Sequence, residues 1–265
     1  MKLADKLDDF TVNEFTHAGY TYPVYRKGQG PGVVVIHEVP GVTPEVARFA
    51  RKVVDAGFTV FMPSLFGTPG KKFSPAYAAQ QMSLSCVRRE FAVLSANKAS
   101  PVTEFLRGLC RAVHEELDAP VGAIGMCLTG NFALTLAVDP WMMAPVLSQP
   151  SLPIGTTKVL REALHVSPAD LETVKRRIDE EGLSVLGLRF TGDPLCQRPR
   201  FKRLEQELGE GFESIEIDSR RGNRDRISMT AHSVVTMDLV DKAGHPTRQA
   251  LDRVLGFFRE NLHPA

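Results

Sequence analysis

One cysteine in a glycine-flanked turn is the first candidate for chemistry. The segment Val121 to Val138, VGAIGMCLTGNFALTLAV, reads as a short apolar strand, a tight turn and a helix, with Cys127 at the tip of the turn. A strand-to-helix corner of this kind projects a nucleophile away from the sheet. The backbone N–H groups that open the helix then point at whatever the nucleophile attacks. Gly125 and Gly130 bracket the corner, where strand and helix pass close together. Ala133 and Ala137, four residues apart, let the helix lie close on the sheet. Taken alone, the segment reads equally well as a structural cysteine in an ordinary βα turn.

A thiol at such a corner needs a base, and the base needs a group to orient it. Asp193, in TGDPLC, follows the apolar run LSVLGLRF, and His232, in TAHSVV, lies in the loop after the next strand. Nucleophile, acid, histidine is the chain order of α/β-hydrolase triads. All three follow strands on the same side of the expected sheet, so they can converge. His245, in AGHPTRQA, is the rival base, but it precedes Pro246 and reads as a helix-opening residue. Glu38, in IHEVPGV, stands at the carboxyl end of a buried strand, the end where open α/β sheets bind ligands. Arg88 and Arg89 are candidates to hold an anionic substrate. Arg198, Arg200, Lys202 and Arg203 read as a solvated helix face, and Cys86, Cys110 and Cys196 as small buried apolar residues.

The elements that must position these groups alternate between strand and helix. GVVVI is a continuous β-branched run, the mark of a strand buried on both faces of a parallel sheet. TPEVARFARKVVDAGF follows as a helix, with Thr43 as cap, Pro44 at the first position and Gly57 at the end. FTVFMP is the next strand, so the pattern is β-α-β with a right-handed crossover. Upstream, HAGYTYPVYRKGQGPG reads as an edge strand and a turn, since proline is tolerated only at an edge. Residues 67–98 read as a loop with one or two short helices. Helices are expected over Thr103–Leu117, Pro168–Glu181, Pro199–Leu208 and Thr247–Leu262. Strands are expected over Met142–Leu147, Leu183–Phe190 and Phe212–Ile217. With no repeat or linker, the expectation is one α/β domain over residues 1–265, a mostly parallel doubly wound sheet flanked by helices.

Bulk composition narrows the function classes. Apolar residues make up 43% and charged residues 24% of 265, the balance of a globular chain rather than a disordered one. A formal net charge of +1 offers no global field for nucleic acid or membrane. The opening MKLADKLDDF has three aspartates and no long apolar core, unlike a secretory signal. Four cysteines without a CxxC pair fit reduced thiols in a cytoplasmic protein better than a zinc site or a disulfide framework.

From about Gly32 to Leu262 the sequence resembles the dienelactone hydrolase family. VVVIHEVPGVTPEVARFARKVVDAGFTVFMPSLFG is similar to that family's first strand, acidic residue, helix and second strand. GMCLTG resembles its cysteine elbow, GDPLC its aspartate turn and AHSV its histidine loop. The resemblance implies an α/β-hydrolase fold and a Cys127–Asp193–His232 triad. It also implies that Glu38 contacts the cysteine at rest and helps it become a thiolate, with Val39 and Leu128 donating backbone N–H groups to the oxyanion. Two positions depart from the pattern. Thr129 stands where the family usually has glycine, which tightens the elbow. Thr236 stands where an arginine holds the substrate carboxylate, which argues against the dienelactone itself as substrate.

The function expected from these readings is hydrolysis of small carboxylic esters or lactones through a thioester acyl-enzyme. It would need no metal or organic cofactor and no partner beyond the small-molecule substrate, in a monomer or homodimer. Acyl transfer or thioester cleavage by the same triad, and a non-catalytic binding protein on this fold, are the alternative readings.

Overall fold

The computed structural model describes residues 4–87, 91, 99–155 and 157–263, with backbone alone at 85–87. Eight strands form one sheet: β1 (Thr11–His17), β2 (Tyr20–Lys27), β3 (Gly32–Ile36), β4 (Thr59–Pro63), β5 (Val121–Met126), β6 (Met142–Ser148), β7 (Val185–Phe190) and β8 (Phe212–Ile217). Their spatial order is β1-β2-β4-β3-β5-β6-β7-β8. β1 and β2 are antiparallel to their neighbours, and every other pair is parallel.

The helices are α1 (Pro44–Asp55), α2 (Pro75–Val87), α3 (Val102–Leu117), α4 (Phe132–Leu136), α5 (Lys158–Glu162), α6 (Pro168–Glu181), α7 (Arg198–Leu208) and α8 (Pro246–Leu262). α1 starts as its sequence dictates, with the Thr43 hydroxyl accepting the Val46 N–H at 3.3 Å and Pro44 in the first turn. It ends at Gly57, whose φ is +100°. Its apolar stripe of Val46, Phe49, Ala50 and Val53 is fully buried.

Strand residues divide between two cores by period two. In β3, Val33 and Val35 join Phe49, Val53, Phe257 and Phe258 beneath α1 and α8. Val34 and Ile36 point the other way, toward Phe105, Leu106, Phe201 and Leu204 on α3 and α7. Both faces are covered, which is why the central strands read as unbroken apolar runs rather than alternating ones.

The amino-terminal expectation needs correction. Residues 11–27 make two strands, and β2 lies inside the sheet between β1 and β4. Pro23 is tolerated because the β4 ladder begins only at Val24. The Pro23 carbonyl accepts the Ser64 N–H at 2.9 Å on that side. A residue's nitrogen and carbonyl point the same way in a strand, so the missing donor falls just past the end of the ladder.

Candidate active site

The corner after β5 is held in a conformation that costs energy. Cys127 has φ +54°, in the left-handed region, which costs a non-glycine residue about 1–3 kcal/mol. Its carbonyl accepts the Gly130 N–H at 3.0 Å and the Ser151 N–H at 2.9 Å, and these bonds fix the turn. The flanking glycines are needed for close approach. A Cβ on Gly125 would lie 2.2 Å from the Thr129 carbonyl oxygen, and one on Gly130 2.4 Å from Pro150 Cα. The helix expected directly behind the cysteine is displaced. A 3-10 turn spans Cys127–Thr129, and α4 covers only Phe132–Leu136. Behind the cysteine stand the individual N–H groups of a short turn rather than the end of a long helix dipole.

Asp193 and His232 meet at this corner. The Asp193 carboxylate accepts the Leu195 N–H at 2.8 Å and the Cys196 N–H at 3.2 Å through Oδ1, and faces His232 Nδ1 at 2.7 Å through Oδ2. That places the Nδ1 proton toward the carboxylate and leaves Nε2 for chemistry. Nε2 is sealed from water and has no well-aligned hydrogen-bond partner, yet it lies within interaction range of the Cys127 thiol. Burial alone would lower the imidazole pKa, but Cys127 and Asp193 outweigh it and hold it well above 6.5. The histidine loop is stapled by Asp238, whose Oδ2 accepts the N–H groups of His232 and Ser233, each at 2.9 Å.

Glu38 enters from the end of β3 and is buried. Ser233 Oγ donates to its Oε2 at 2.7 Å, Gln149 Nε2 donates to the same oxygen at 3.1 Å, and Thr236 Oγ1 donates to Oε1. Burial pushes the Glu38 carboxyl pKa up, against the pull of the Thr236 and Ser233 hydroxyls. Among the described residues no hydrogen bond joins Glu38 to Cys127, the resting contact that the resemblance implies. Among the described residues the carboxylate's partners are three neutral donors, and both His232 and Cys196 lie near the thiol. Glu38, Cys127 and His232 nevertheless line one cavity of about 420 Å³.

With this geometry in hand, comparison with known proteins is informative. The sequence profile of the dienelactone hydrolase family matches residues 18–167. The chain belongs to the dienelactone hydrolase family. Similar solved structures include a dienelactone hydrolase from Anabaena variabilis, 13% identical, TM-score 0.56, covering 96% of this chain and 98% of that one. A dienelactone hydrolase-like promiscuous phosphotriesterase from metagenomic libraries is 17% identical, TM-score 0.60, over 96% and 98%. An esterase of Pyrococcus furiosus is 12% identical, TM-score 0.60, over 95% and 92%. No curated protein sequence matches the chain. At these identities the structures share the α/β-hydrolase fold, an eight-stranded mostly parallel sheet flanked by helices.

Both departures from the dienelactone hydrolase pattern have structural work. The Thr129 hydroxyl accepts the Met126 N–H at 3.0 Å and sits 3.0 Å from the carbonyl oxygens of Ile36 and Met126. It clasps the end of β5 to the end of β3, so Cys127 and Glu38 share one anchor. Thr236, fully buried, spends its hydroxyl on Glu38 and is not free to hold a substrate.

Other expectations sort as follows. Val39 lines the cavity, and Leu128 follows the cysteine in the turn. Arg88 and Arg89 lie outside the described residues, as does the Cys86 side chain. Cys110 and Cys196 are buried, and burial raises both thiols. His245 caps α8, its ring accepting the Thr247 N–H, which fits a helix-opening role. Arg200 is a correction: it is buried, not solvated. Its guanidinium donates to the carbonyl oxygens of Ala163, Pro150, Pro153 and Leu160 at 2.9–3.0 Å. Five fixed N–H donors suit a knot of irregular backbone that no ladder satisfies.

Gln149, Ser233 and Asp238 were not singled out from the sequence. Gln149 carried a usable signal, being a polar residue directly after β6 at the same sheet edge as Glu38. Ser233 and Asp238 carried none, because loop residues far from a strand end have no periodicity.

Proposed function

We propose that this protein hydrolyses carboxylic esters or lactones with Cys127 as nucleophile, His232 as acid–base and Asp193 as the residue that orients His232. The observation that carries the reading is the Asp193 Oδ2 to His232 Nδ1 contact of 2.7 Å, with Cys127 on its strained elbow lining the same cavity as His232. In the first half-reaction the thiolate attacks the ester carbonyl carbon. The C–S bond forms, and the carbonyl π electrons move to oxygen, where the N–H groups of Val39 and Leu128 receive the charge. Collapse expels the alkoxide, which takes the proton from His232 Nε2 and leaves a thioester. In the second, Nε2 removes a proton from water as the water oxygen attacks. The thiolate then departs, and the pair is restored.

Glu38 is proposed as a buried acid facing the same cavity, positioned by Thr236, Ser233 and Gln149. The cycle as written requires no metal or organic cofactor. One domain over the whole chain suffices for it.

The test is covalent trapping. Mass spectrometry of wild type quenched during turnover of an activated ester should show one acyl group on the Cys127 peptide. A folded Cys127→Ala variant should show neither the adduct nor turnover. Full turnover by Cys127→Ala, or an adduct on another residue, defeats the assignment.

A further inference from the structure

We infer that Gln149 is a positioning residue: its side-chain amide ties the histidine loop to Glu38, while its backbone ties the same point to the cysteine elbow. The inference rests on the triad proposed above. Gln149 follows β6 and is fully buried, with φ +35° in the left-handed region. Such a conformation persists only where the surroundings over-determine it. The Gln149 N–H donates to the Leu188 carbonyl of β7 at 2.7 Å. Its carbonyl accepts the Ser151 hydroxyl at 2.9 Å, and the Ser151 N–H donates to the Cys127 carbonyl, also at 2.9 Å. The strained turn after β6 and the strained elbow after β5 therefore brace each other.

The amide works in both directions. Its oxygen accepts the Ser148 hydroxyl and the Val234 N–H, the latter at 3.4 Å. Its nitrogen donates to Glu38 Oε2 at 3.1 Å. The reverse orientation would set an amide N–H against the Val234 N–H and an amide oxygen against the carboxylate. Val234 lies two residues after His232. The same loop sends the Ser233 and Thr236 hydroxyls onto Glu38. Gln149 thus closes a ring, from Glu38 through the amide to the histidine loop and back. A buried ring of this kind holds its geometry only while every member is satisfied. Opening it at Gln149 loosens the loop that carries His232, which lines one cavity with Cys127. A misplacement of about 1 Å, even from a change remote from the chemistry, costs about 100-fold in rate.

Two substitutions test this. Gln149→Met keeps the length and removes both polar ends. Gln149→Glu keeps the shape, but only its protonated carboxyl can accept from Val234 and donate to Glu38 as the amide does. The new carboxyl faces Glu38, near which stand the charges of His232 and Asp238. On an activated ester, Gln149→Met should lower kcat by about 100-fold and leave KM within about threefold. Gln149→Glu should keep most of the wild-type kcat in acid. It should fall away from wild type as pH rises, once the two carboxyls no longer share a proton. A methionine variant with normal melting behaviour and kcat within about threefold of wild type overturns the inference. So does a ratio of Gln149→Glu to wild type that stays flat with pH, and this arm decides where the methionine variant does not fold. A thiol arm separates the inference from the catalytic reading, because it needs no turnover. Wild type and variant are alkylated with iodoacetamide at neutral pH, and the Cys127 peptide is followed by mass spectrometry. The variant should react about tenfold more slowly or worse, since a displaced imidazole no longer sustains the thiolate. That slowing supports the inference even where wild type hydrolyses no ester. A rate equal to or above wild type overturns it.

Discussion

Two histidines, buried His37 after β3 and half-buried His232 after β8, stand at the same edge of the sheet and are tuned in opposite directions. His37 Nδ1 faces the Glu38 carbonyl at 3.0 Å, and its Nε2 accepts the Leu65 N–H at 3.0 Å. Both nitrogens are spent on backbone, and burial drops the ring to about 4. His232 has a carboxylate on one nitrogen and a thiol near the other, and is held well above 6.5. Desolvation pulls both rings down. The charge of the partner decides which ring is a strut and which can carry a proton.

The largest expected contrast is kinetic. His232→Gln should cut ester turnover by about 10²–10⁴-fold, the range for lost acid–base assistance. His37→Leu should leave turnover within about tenfold while losing about 1–3 kcal/mol of stability, because the Leu65 N–H loses the buried His37 acceptor. Steady-state rates and chemical denaturation on both variants check this. Equal kinetic losses would erase the distinction.

Asp193→Asn sharpens the same contrast. The amide can donate to Nδ1 and so favour the wrong tautomer, lowering turnover by about two orders of magnitude or more with little change in folding. A variant as active as wild type would show that His232 needs no orienting group.

The titrations come next. Proton NMR should place the His232 transition well above 6.5 and move it down in Cys127→Ala, because the cysteine is one of the groups holding it up. His37 should titrate near 4 in both proteins. The stability profile follows with opposite signs. His37, depressed on folding, removes stability as pH falls from 6.5 toward 4, where only the unfolded chain takes up the proton. His232, raised on folding, contributes stability that is full below 6.5 and is lost as pH rises through its folded value.

Glu38→Gln gives the smallest expected effect. The raised carboxyl pKa means that ionising Glu38 opposes folding increasingly as pH climbs above 4.5. The glutamine variant should therefore melt higher than wild type at neutral pH, with the gain fading on acidification below 4.5. Gln149, Ser233 and Thr236 can accommodate the amide, since the hydroxyls rotate to accept as well as donate. A variant less stable than wild type at neutral pH would show that the three donors need the charge.

The central fold was legible because its signals are local. β3, α1, α6 and β8 follow from apolar runs, capping residues and glycine stops that act within one or two turns. The two-strand hairpin at the start was not, because Pro23 is excluded from a ladder only where that ladder exists, and β4 stops one residue short of it. In the site, Cys127, Glu38, Asp193 and His232 stood out by type and by position after strands. The partners of Glu38 did not, since a hydroxyl or amide gains its role only when distant loops fold together. Arg200 misled for a related reason. Charged Arg198 and Lys202 flank it two residues away in sequence, whereas its partners are carbonyls up to 50 residues away.

Five neighbouring strands feed this one site. Glu38 follows β3, Cys127 β5, Gln149 β6, Asp193 β7 and His232 β8, and these strands are adjacent in the sheet. No hairpin, half-sheet or truncated piece holds a working set. On the triad proposed above, a chain emerging from the ribosome stays chemically silent until residues past 236 have been made and β8 has docked. Long-range closure of this kind comes late in folding. Catalytic competence thus reports on the entire parallel sheet at once, and its loss in urea should coincide with the loss of the fold.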